Sequence, residues 1–72
     1  MSIVTYIRTI MAARGIRSQR ELALRMGISP QALAQKLDKG NFRFSDLKKI
    51  AEALDCTVSL EFLDKDTGES VL

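Results

Sequence analysis

The sequence predicts a mainly α fold: four short helices, two of them joined as a helix-turn-helix, followed by a C-terminal β-strand or hairpin. Three observations carry that prediction. Apolar residues recur three and four positions apart in four separate windows up to Leu54, which is the period of one buried helix face. A serine opens each window, at Ser2, Ser18, Ser29 and Ser45, and serine readily accepts from the unpaired N–H groups of a first helical turn. After Asp55 the apolar period falls to two in Thr57-Val58-Ser59-Leu60-Glu61-Phe62, the alternation of a half-buried strand.

The first helix is expected over Ile3 to Arg14. Ile3, Ile7, Ile10 and Met11 form its stripe, Val4 widens it and Gly15 ends it, after which Ile16 turns inward. The second covers Gln19 to Met26, with Leu22, Ala23 and Met26 on the inner face. Ser18 and Glu21 have the spacing of a capping box, in which each side chain accepts from the other residue's backbone N–H. Gly27 stops this helix in the left-handed conformation that glycine reaches cheaply. The third begins at Ser29-Pro30, because the residue before a proline avoids the helical region and proline suits the first helical position. Leu33 and Leu37 face the core, and Lys39-Gly40-Asn41 is a loop.

The fourth helix is expected over Asp46 to Leu54. Ser45 caps it, Asp46 lies at the positive end of its dipole, and Leu47, Ile50, Ala51 and Leu54 face inward. Phe42 and Phe44, which bracket Arg43, read as core plugs. Asp64 to Gly68 is a turn, and Glu69 to Leu72 a short returning strand. The expected units are therefore residues 1–55, helical, and 56–72, a strand or hairpin for dimerisation.

Composition narrows the function. Seventy-two residues make one small domain, which buries only about 60% of its unfolded surface. A single cysteine, Cys56, and no histidine exclude a disulfide framework and the common zinc clusters. The chain shows neither a signal peptide nor an apolar run of the roughly 20 residues that span a membrane, so a cytoplasmic protein is expected. No nucleophile is paired with a base and no glycine loop cradles phosphate, so the chain reads as no enzyme and needs no cofactor. The net charge of +2 is unevenly placed. Through Arg43 eight basic residues face two acidic ones, a net of +6; from Phe44 onward three face seven, a net of −4. Such asymmetry suits a polyanionic partner for the first part.

A helix, a glycine turn and a second helix make a helix-turn-helix. Ala23 lets helix 3 cross closely over helix 2, Gly27 makes the turn, and Leu22, Met26, Ile28 and Leu33 lock the pair to the core. Gln19-x3-Ala23-x3-Gly27-Ile28-Ser29, followed by Leu33, resembles the Cro/cI-type helix-turn-helix family, also called the XRE family of transcriptional regulators. The similarity covers about Ile7 to Leu54. It implies a lambda-repressor-like helical domain that binds double-stranded DNA, is commonly a homodimer, and represses or activates transcription. Two departures stand out. The family places an apolar residue three positions after Leu33, then an acid and a glycine; here Lys36 holds that place, and Leu37, Asp38 and Gly40 come one residue late. The family often closes its core with a fifth helix, where this chain carries a predicted strand, closer to the strand-tailed Cro-like members.

On that scaffold helix 3, about residues 30–38, is expected to read the major groove with its outward N-terminal residues. These are Ser29, Pro30, Gln31, Ala34 and Gln35. Gln31 and Gln35 lie one turn apart, and a glutamine pairs with adenine N6 and N7. Phosphate contacts are expected from Arg17, Gln19 and Arg20 at the start of helix 2, where free N–H groups meet a positive dipole end, and from Lys36, Lys39, Asn41 and Arg43 after helix 3. Such contacts position the protein without reading sequence.

The predicted strand sets Val58, Leu60 and Phe62 on one face, with an unpaired edge. Pairing of two copies across a two-fold axis is expected to separate the reading helices by about 34 Å, one DNA turn; the other arrangement is a hairpin folded onto its own helices. The competing function is a protein-interaction module, an antitoxin or accessory factor that uses the same scaffold to hold a partner protein.

Overall fold

The computed structural model describes residues 2–72 and contains four helices: α1 (Ile3–Ala13), α2 (Gln19–Met26), α3 (Pro30–Lys39) and α4 (Phe44–Ala53). Three of the four serine caps form as expected. Ser2, Ser18 and Ser29 each accept, through Oγ, the N–H three residues on, at 3.1 Å, from Thr5, Glu21 and Ala32. The Ser18–Glu21 box closes differently. The Glu21 carboxylate accepts from the N–H of Arg17 at 3.2 Å, one residue before the cap.

The start of α4 corrects the sequence reading. The helix begins at Phe44 with Arg43 as its N-cap residue, so Ser45 lies inside the first turn. Asp46 is the cause. Its Oδ2 accepts from the Arg43 N–H at 3.0 Å, the reciprocal half of a capping box, and that bond sets the first turn two residues earlier than a serine cap at Ser45 would. Phe44 consequently occupies the first helical position and is exposed, whereas Phe42 packs partly buried against the core. Phe44 is therefore not the second core plug.

Three helices end in one pattern. At the end of α1 the N–H groups of Gly15 and Ile16 reach the carbonyls of Ala12 and Met11; at the end of α2 those of Gly27 and Ile28 reach Leu24 and Ala23; at the end of α4 those of Asp55 and Cys56 reach Glu52 and Ala51. This is the Schellman arrangement, with a left-handed residue followed by an apolar one that folds inward. Gly27 has φ +73°, a region where a side chain crowds the following carbonyl.

Ile7 and Met11 of α1, Ile16, Leu22 and Ala23 of α2, Leu33 and Leu37 of α3, and Ile50 with Leu54 at the end of α4 form the buried core. The central helix, α2, packs on both α3 and α4. Leu22, Ala23 and Leu33 are fully enclosed.

No strand forms among the described residues, which overturns the C-terminal β-strand. Among the described residues, 57–61 make no backbone–backbone hydrogen bond. The turn at Asp64–Gly68 does form: Asp64 Oδ1 accepts from the N–H groups of Asp66 and Thr67, which holds its carboxyl below the usual range. Beyond it the arms meet at an isolated antiparallel bridge, Leu63 to Ser70, framed by Asp64 N–H on the Glu69 carbonyl at 2.6 Å and Val71 N–H on the Phe62 carbonyl at 2.9 Å. Alternating side chains satisfy the pattern of a strand but supply no neighbour for its backbone, and a hairpin with both faces in water is marginal.

Candidate nucleic-acid interface

The third helix presents two opposite faces. Leu33 and Leu37 are buried, and on the opposite side Ser29, Pro30, Gln31 and Gln35 are all exposed. Gln31 and Gln35, spaced i and i+4, stand one above the other on that face. Ala34 is half-buried between the two faces. The Ser29 hydroxyl is engaged as the cap of α3, so it anchors the front of the helix. Pro30 follows in the first turn, where its missing N–H costs nothing.

Two hollows that carry basic side chains flank the motif. The first lies at the start of α2 and is lined by Arg17, Ser18 and Gln19, with Arg8 from α1. Arg8 is not among the phosphate contacts expected from the sequence; the fold brings it from α1 into the same hollow as Arg17. Arg20 is exposed on the first turn of α2 but does not line this hollow.

The second hollow, about 720 Å³, follows α3. Gln35, Lys36, Lys39, Asn41 and Arg43 meet there, so every residue expected to contact phosphate after helix 3 lines one depression. Lys49 and Asp46 join them from α4. Sequence reasoning misses Lys49, although it sits one turn beyond Asp46 on the same helix, and that spacing is the available signal. Lys36 differs from the other cations. Its Nζ donates to Asp46 Oδ1 at 3.2 Å. The Arg43 N–H and then the Lys36 ammonium hold the Asp46 carboxyl below the usual range, so it is charged at neutral pH.

The three residues expected at a dimer contact are separated. Val58 lines an apolar groove of about 220 Å³ between α1 and α4, with Ile3, Tyr6, Ile10 and Leu47. Leu60 and Phe62 project into solvent, 69% and 78% exposed. No helix among the described residues is long and apolar enough to cross a membrane.

Comparison with known proteins adds one finding. The family model described as Cro/C1-type HTH DNA-binding domain matches residues 6–64, from within the first helix to the first residue of the C-terminal turn. Neither a curated protein nor a solved structure matches the sequence. A match over that span, on four helices whose third presents a polar outer face beside two basic hollows, assigns the fold and its partner together: the chain belongs to the family of Cro/C1-type helix-turn-helix DNA-binding domains.

Proposed function

We propose that this domain is a sequence-specific transcriptional regulator that reads the DNA major groove with α3, acting in the cytoplasm as a homodimer and as a repressor at its operator. The observation that carries the reading is the outer face of α3: two glutamines one turn apart, exposed, on a helix whose opposite face is locked into the core by Leu33 and Leu37. Amide side chains held on a rigid helix suit paired hydrogen bonds to adenine, worth about 1–3 kcal/mol of discrimination each. Gln31 and Gln35 are the proposed base readers. Ser29 and Pro30 set the helix start against the groove floor, and Pro30 and Ala34 meet thymine methyls. Arg17, Gln19 and Arg20 grip phosphate on one flank, and Lys39, Asn41 and Arg43 on the other.

Selection from a random duplex library supplies the preferred site. Gln31→Ala is then expected to weaken binding to that site by about 1–3 kcal/mol while leaving affinity for random duplex nearly unchanged. An equal loss on both counts against base readout.

A second reading rests on the C-terminal segment, which exposes Leu60, Phe62, Leu63 and Val71. An apolar ridge of that kind suits a protein partner, as in an antitoxin or accessory factor. Recovery of one partner protein in the absence of DNA favours this reading; for the homodimer, the partner is a second copy.

A further inference from the structure

We propose that Asp46 is a positioning residue that holds Lys36 away from the DNA backbone, so that α3 docks with one cation fewer than its sequence offers. The inference rests on the reading of α3 as the groove-reading helix. The hollow behind α3 gathers four cations, Lys36, Lys39, Arg43 and Lys49, around one acid, Asp46. That acid uses both oxygens. Oδ1 accepts from Lys36 Nζ at 3.2 Å, and Oδ2 accepts from the Arg43 N–H at 3.0 Å. Among the described residues this is the one ion pair that joins two helices; the other, Arg25–Glu21, lies within α2.

Exposed ion pairs are weak because water screens them and two long side chains must be ordered. This pair is favoured over an exposed one on both counts. The Asp46 side chain is only 19% exposed, against 41% for Lys36. Its second oxygen is pinned by a backbone amide, so it stays in place and the lysine comes to it. An ammonium already matched by a carboxylate releases few counterions when a phosphate approaches. The free phosphate ligands of the hollow are then Lys39, Arg43 and Lys49. Lys36 serves as a strut that fixes the end of α3 against α4 and the loop between them.

The test is the salt dependence of binding to random-sequence duplex for the unaltered chain, Asp46→Asn, Lys36→Met and the double variant. Asparagine keeps an acceptor for the Arg43 N–H, and methionine keeps the apolar stem of the lysine. Asp46→Asn frees Lys36 and is expected to steepen the slope of log affinity against log salt by about 0.9, one phosphate. Lys36→Met alone leaves the slope unchanged, and the double variant returns to the unaltered value. A slope shallower by about 0.9 in Lys36→Met alone overturns the proposal, because Lys36 would already be touching phosphate. A steepening that persists in the double variant overturns it too, because only repulsion by Asp46 would have been relieved. So does an unchanged slope in Asp46→Asn.

A DNA-free readout separates this inference from the reading beneath it. In an NMR titration, Lys36→Met is expected to raise the Asp46 carboxyl toward its ordinary value while the Arg43 N–H keeps it lower. No rise means that the pair does not form, and the proposal falls alone. A rise in a chain that binds no duplex means that the pair stands while the DNA reading falls, and the positioning role of Asp46 falls with it.

Discussion

Ala23 has no exposed surface and sits in the core formed by α2, α3 and α4, so its environment admits a methyl and nothing longer. Ala23→Leu inserts three further carbons into packed space. The expected cost is about 1–3 kcal/mol, a large share of the roughly 5–10 kcal/mol that hold a small domain together. Urea unfolding should show a lower midpoint with the same dependence on denaturant; an unchanged midpoint would mean that the helices do not cross closely at this position. The requirement was legible in the spacing of Ala23, Gly27 and Leu33, because a helix-turn-helix is a local motif with its crossing angle written in neighbouring residues. The partner of Lys36 and the neighbours of Arg8 were not legible. Asp46 is ten residues from Lys36, and nothing in a chain says which distant charges will share a hollow.

At the scale of the element, the helices are specified mainly by their ends. Three serines start α1, α2 and α3, and three glycines, Gly15, Gly27 and Gly40, stop the same helices in the left-handed conformation. The exception is informative. Asp55 closes α4 at φ +58°, where its Cβ costs about 1–2 kcal/mol relative to glycine, less for a short polar residue such as Asp. Asp55→Gly is therefore expected to stabilise the domain by about 1 kcal/mol, raising the melting temperature by about 4–8 °C. A fall would show that the Asp55 side chain supplies more than a cap. The same end logic explains the misplaced start of α4. Ser45 offered a good cap, but Asp46, bonding the Arg43 amide, supplied a competing one two residues earlier. Two overlapping cap signals leave the register open until the helix packs.

The whole molecule is longer than its helical core requires. Its extents are 41 × 24 × 20 Å and its radius of gyration is 13.8 Å, against about 11 Å for a compact chain of this length. The excess matches a C-terminal segment that exposes Leu60, Phe62, Leu63, Val71 and Leu72. In the proposed homodimer these apolar side chains form the interaction surface, and a second copy of the chain fits the proposed symmetric grip on DNA. Sedimentation equilibrium at micromolar concentration is expected to show a dimer. Phe62→Asp should weaken it by about tenfold or more, as loss of an aromatic anchor does, with the helical content unchanged. A monomer of the unaltered chain at that concentration defeats the idea.

The number of helices, most of their limits, the turn between α2 and α3 and the outward pair of glutamines follow from local residue patterns. Caps, periodicity and left-handed glycines act over a few residues, so they can be read from a few residues. Tertiary structure alone decided that Lys36 is paired, that Arg8 and Lys49 line the two basic hollows, and that residues 57–61 remain without a ladder. Each of these depends on what a distant part of the chain places alongside. A strand in particular is a property of two backbones, and one segment's alternation cannot create the other.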